Sequence, residues 1–165
     1  MRAAAIALAI GLCSTQSACR KPSPSCVVSL FGSTQQVTHL AECASLSATV
    51  RAGEPHYVLR FGDKPALPAE LHAELDLGPR PTTGSFSDTA LRAFHATLKT
   101  SPTCTFVAGG DAVPRGRAWL ELSALDLSHP SAQTVHGQLT LTLRLHAAAQ
   151  SDCGPVDTET VSLRF

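Results

Sequence analysis

Val135-His136-Gly137-Gln138-Leu139-Thr140-Leu141-Thr142-Leu143-Arg144-Leu145-His146 is the clearest alternating run in the chain. Its odd positions are Val, Gly and four Leu, and its even positions are all polar. Successive side chains on a strand point to opposite faces, so this segment carries one apolar and one wetted face. The chain end repeats the pattern: Val161, Leu163 and Phe165 alternate with Thr160, Ser162 and Arg164. Between the two lies the turn-rich Ser151-Asp152-Cys153-Gly154-Pro155, so antiparallel pairing of the two strands is expected.

The same period runs outward from there. Ala118, Leu120 and Leu122 alternate with Trp119, Glu121 and Ser123, continuing to Leu125 and Leu127. Leu71, Ala73, Leu75 and Leu77 alternate with His72, Glu74, Asp76 and Gly78. Shorter apolar runs read as strands over Cys26–Phe31, Gln36–Ala41, Ser45–Val50, His56–Phe61 and Cys104–Ala108. Ala90–Lys99 fits either period and is assigned to a strand because strands flank it. Gly84-Ser85-Phe86-Ser87-Asp88 reads as a turn entering a strand. Gly and Pro punctuate these runs at Gly32-Ser33, Gly53-Glu54-Pro55, Gly62–Pro68 and Gly78–Gly84. Many short strands at such spacing predict an all-β fold, an antiparallel β-sandwich or flattened barrel of eight or nine strands. The aromatic residues fall about one per strand, the distribution expected of core packing rather than of a stacking platform.

Composition limits the function classes. The 165 residues carry 13 Lys+Arg and 13 Asp+Glu, so net charge is zero and no basic stripe for a polyanion is available. With 44% apolar and 16% charged residues the chain can bury a core.

The N-terminus has the order of an export signal: Met1-Arg2, the apolar run Ala3–Leu12, then small residues. Ten residues of helix would reach about half of a bilayer's hydrocarbon core, too short to span it. Ser17-Ala18-Cys19 resembles the lipobox of bacterial lipoproteins, although Gln16 stands where Leu, Val or Ile is usual. With the Pro/Ser-rich Arg20-Lys21-Pro22-Ser23-Pro24-Ser25 behind it, the chain looks like the small exported lipoproteins of Gram-negative bacteria. That resemblance implies a lipid on Cys19, a membrane partner and a place in the cell envelope, at the outer membrane because Arg20 rather than Asp follows the cysteine. The expected organisation is a signal over 1–18, a tether over 19–25 and one domain over 26–165. Ordinary cleavage near Ser17 or Ala18 would instead give a soluble exported domain.

Cleavage before Cys19 and lipidation of that residue leave Cys26, Cys43, Cys104 and Cys153 in the domain. Four exported cysteines form two disulfides with three pairings open. Cys26–Cys43, which flank a hairpin, and Cys104–Cys153, both near strand starts, are favoured. No two of them have the spacing of zinc ligands.

Tests for chemistry leave little. No His-x-His or His-x-x-x-His occurs, and His136 and His146 lie about 33 Å apart on an extended strand, so neither metal nor cofactor is expected. No G-x-S-x-G elbow is present, and Gly109-Gly110-Asp111 lacks the Lys and helix of a phosphate loop. Glu121 and Asp126 are two carboxylates with no partner motif. The expected role is non-enzymatic, an envelope module that binds another protein. Its candidate interaction surfaces are the loop Gly109–Arg117, with Asp111, Arg115 and Arg117, or an unpaired sheet edge. The alternative is a soluble carrier holding a small apolar ligand among Leu139, Leu141, Leu143 and Trp119.

Overall fold

A computed structural model of the chain describes residues 26–30, 33–37, 43–62, 70–110, 116–128, 134–146, 153 and 155–165. The signal and tether expectations, Cys19 included, lie outside these residues.

Among the described residues eleven strands follow in order: β1 Cys26–Leu30, β2 Ser33–Val37, β3 Ala44–Arg51, β4 Glu54–Phe61, β5 Glu70–Gly78, β6 Gly84–Ser87, β7 Ala93–Ser101, β8 Cys104–Gly109, β9 Arg117–Asp126, β10 Thr134–Leu145 and β11 Thr158–Arg164. All pairings are antiparallel. The main path is β2-β1-β11-β10-β8-β7-β5-β4-β3, with β9 on β10 and β6 on β9.

β10 organises this topology. One of its edges carries β11 along Gln138–Arg144. Its other edge is shared: Thr134–Thr142 pair with β9, then Arg144 and Leu145 pair with Val107 and Phe106 of β8. A twelve-residue strand of about 40 Å is long enough to serve both neighbours. The sheet forks there into two wings, β6-β9-β10-β11-β1-β2 and β8-β7-β5-β4-β3, which fold over one core. Leu139, Leu141, Leu143, Leu120 and Leu163 from the first wing join Leu59, Phe61, Leu75 and Leu98 from the second in one buried cluster. The Phe61 and Phe165 rings meet edge to face across the wings, centroids 5.1 Å apart. The result is the expected all-β fold of flattened-barrel type, a curled antiparallel sheet that wraps one core as a half-barrel.

Two disulfides take the favoured pairing. Cys26–Cys43 fastens β1 of one wing to the entry of β3 on the other. Cys104–Cys153 fastens the start of β8 to the β10–β11 connection.

Some expected boundaries move. The second strand is Ser33–Val37 rather than Gln36–Ala41, because its register is set by β1, where Cys26 pairs with Val37; residues 38–42 lie outside the described set. β7 begins only at Ala93, with Leu91 buried in the preceding turn, where its N–H and that of Ala90 bond Ser87 O. Gly84–Ser87 is a strand of its own, since β9 offers a free edge for it.

Candidate functional site

Of the expected interaction loop, Arg117 is described and exposed at the start of β9, paired in register with Thr142. Asp111 and Arg115 lie outside the described residues. The stems of the loop, Gly109, Gly110 and Gly116, border a pocket of about 340 Å³ shared with Asp88 and Arg92. Gly109 has φ +74°, and a Cβ there would collide with the Phe94 carbonyl, so glycine is required where β7 and β8 draw together.

The expected apolar cavity does not form from the residues named for it. Leu139, Leu141 and Leu143 are fully buried in the core, whereas Trp119 is on the opposite face of its sheet and half exposed. The expectation that aromatic residues pack in the core fails at this residue. Its flanking Ala118 and Leu120 face inward, and strand alternation sends the indole out. Glu121 and Asp126 are both exposed and lie five positions apart on the strand, about 16 Å, too far to act on one bond. Asp126 is held below its ordinary value by hydrogen bonds from the Ser128 hydroxyl and N–H.

The described residues contain no cluster of three His, Cys, Asp or Glu able to hold a metal. They do contain a polar constellation that sequence spacing does not announce. His56 on β4 and Asp76 on β5 are both buried, with Nδ1 and Oδ1 3.5 Å apart. A register shift of β5 against β4, between the partners of Tyr57 and Val58, brings them together, and Asp76 Oδ1 also accepts the Gly78 N–H at 2.8 Å. Thr49 stands directly opposite His56 on β3, its Oγ1 buried and without a hydrogen-bond partner. The order hydroxyl, imidazole, carboxylate resembles a nucleophilic relay, but the hydroxyl makes no bond to the ring. Beside it Arg60 ties three strands: Nε donates to Glu74 Oε2 of β5 and Nη1 to Ser47 Oγ of β3, both at 2.9 Å.

These ties hold β3 against β4 over eight residue pairs with no register shift. Among the described residues β3 pairs with β4 alone and ends the sheet. Along Leu46–Arg51 it therefore presents a row of backbone groups that no strand among the described residues takes up. Edges are usually blunted by Lys, Pro, bulges or inward charges. Ala44-Ser45-Leu46-Ser47-Ala48-Thr49-Val50-Arg51 has none of the first three, and its single charge is terminal. Val50 is 76% exposed, the most exposed large apolar side chain among those described. β3 is thus a straight edge, uncharged up to its last residue and braced from behind.

No protein-family model, curated protein or solved structure matches the chain. The class is therefore defined by the fold alone: a disulfide-stapled antiparallel β-domain in which, among the described residues, β3 ends the sheet.

Proposed function

We propose that the chain is a non-enzymatic interaction module of the cell envelope, which takes up an extended segment of another envelope protein along β3. The undefended, braced edge of β3 carries this reading. A partner strand would gain backbone hydrogen bonds along Leu46–Arg51 and an apolar contact at Val50, the arrangement of strand addition. Export is supported by the signal-like residues 1–18 and by the two disulfides, which persist in oxidising compartments. Anchoring through a lipid on Cys19, at the outer membrane, rests on Ser17-Ala18-Cys19 and the Pro/Ser tether.

The test is crosslinking in a Gram-negative host, comparing the parent with an Ala48→Lys/Val50→Lys variant. Both positions are exposed, so the fold should survive while edge pairing is blocked. Loss of the crosslinked partner from the variant supports the edge. Equal recovery sinks it. Intact mass from the membrane fraction tests the anchor: a chain beginning at Cys19 with diacylglycerol and acyl groups is expected, and a plain cleaved chain in the periplasm overturns it.

A further inference from the structure

Trp119, the chain's one tryptophan, is the third residue of β9 and has half its surface in solvent. It is neither on an edge nor in a loop, because its backbone pairs with Thr140 of β10 on one side and Ser87 of β6 on the other. A buried indole is among the largest apolar contributions a residue makes to a core, and this one makes only part of it. The indole therefore stands as a fixed aromatic surface on a rigid sheet.

Its surroundings are polar. Arg117 and Glu121 flank it on the same strand face, both exposed, and Thr140 lies directly across. About 7 Å along the strand from Trp119, Glu121 opens a pocket of about 280 Å³. Gln138 and Arg164 line that pocket, and the register aligns all three: Glu121 opposite Gln138, Gln138 opposite Arg164. Among the described residues neither Glu121 nor Arg164 forms an ion pair. A carboxylate, an amide and a guanidinium thus converge on one small recess beside an aromatic face.

We propose that this outer face of β9, β10 and β11 binds a pyranose glycan. Trp119 stacks on the C–H face of one ring, and Glu121, Gln138 and Arg164 hydrogen-bond the hydroxyls of the next. A pyranose has an apolar face and a rim of hydroxyls, which is the pairing this surface offers. An apolar ligand would strip water from the three polar groups without replacing their hydrogen bonds. A nucleic acid would need the phosphate-binding cations that a chain of zero net charge, with Glu121 in the recess, does not supply. The small recess suits a single ring. This site is on the wing opposite β3, so it stands or falls independently of the edge.

The lone tryptophan makes the test direct, since all indole emission reports this one position. The full chain is titrated with N-acetylchitotetraose, cellotetraose and maltotetraose, following emission and, in parallel, binding heat. A saturable blue shift with at least one tetrasaccharide below about 10 mM is expected, a weak affinity normal for one stacked ring. Trp119→Ala should weaken binding about tenfold or more, Trp119→Phe should recover part of it, and Arg164→Ala should weaken it with the indole intact. Trp119→Ala should keep the parent's unfolding midpoint within about 3 °C, because the side chain is half exposed. No response to any of the three sugars, or unchanged binding in folded Trp119→Ala, overturns the proposal. Partner capture along β3 by Trp119→Ala is expected to stay at the parent level, which separates failure here from failure of the edge.

Discussion

Replacing Cys26 and Cys43 together by Ala removes one of the two covalent ties between the wings without adding anything polar to the core. The two residues are 0% and 2% exposed, so Ser would leave buried hydroxyls and confuse the comparison. The bridge closes 17 residues of separation. Chain entropy for a loop of that length gives about 3 kcal/mol of stabilisation at 25 °C. At about 3–4 °C per kcal/mol for a domain of this size, the midpoint should fall by about 10 °C. The same reasoning applied to Cys104–Cys153, with a separation of 49, gives about 4 kcal/mol and a larger fall. The assay is thermal unfolding by circular dichroism, with urea unfolding to check that the slope is unchanged. A fall under about 3 °C for Cys26→Ala/Cys43→Ala would refute the loop-closure reasoning. It would mean that the packing of Phe61 on Phe165 and the Leu layers, with Cys104–Cys153 still closed, already holds the wings together.

Other outcomes follow from exposure and backbone geometry. Mild reductant should open Cys104–Cys153 in the folded domain before Cys26–Cys43, since Cys153 is partly exposed and the other pair is buried; alkylation mapped by mass spectrometry reads the order, and the reverse order contradicts it. Ala52 has φ +51° in the two-residue turn joining β3 to β4, with Gly53 at +84°. Ala52→Asn should raise stability by about 0.5–1 kcal/mol in urea unfolding, because Asn tolerates that conformation better; a loss would show that the turn is not strained. Burial pushes the Glu159 carboxyl above its ordinary 4.5, so the folded state holds the proton more tightly than the unfolded one. Stability should therefore fall as pH rises from the ordinary glutamate range through the raised value and then level off. Glu159→Gln should match the parent in acid and exceed it at neutral pH; parallel melting curves across pH would contradict this.

The strands were legible because one wetted face and one core face leave a period of two in the sequence. Leu139, Leu141 and Leu143 show it: all three are fully buried and the residues between them are not. β6 was not legible. Gly-Ser-Phe-Ser is too short to show a period, and it is a strand only because β9 has an edge to fill. The forking of the sheet at β10 leaves no local mark either. It depends on strand length and on which neighbour reaches Arg144 first, and both are tertiary facts. Strand ends moved for the same reason, as with β2, whose span follows the ladder of β1 rather than its own apolar content.

The buried polar constellation and the Trp119 face differ in how the sequence hid them. His56, Asp76 and Thr49 come from three strands, and the shift of β5 against β4 helps bring the first two together, so no spacing rule could have found them. Trp119 was within reach. The alternation that puts Ala118, Leu120 and Leu122 in the core puts Trp119 with Glu121 and Ser123 in water, and that periodicity is written in the sequence. The general tendency of aromatic residues to pack inside points the other way. Periodicity should prevail in such a conflict, because a strand cannot turn one side chain inward without turning its neighbours outward. An aromatic residue in the polar phase of a well-formed strand is therefore a sign of a binding surface, and the amino-acid sequence alone displays it. Applied along this chain, the rule sets Trp119 apart from Phe106 and Phe165, which share their phase with buried neighbours and are themselves buried.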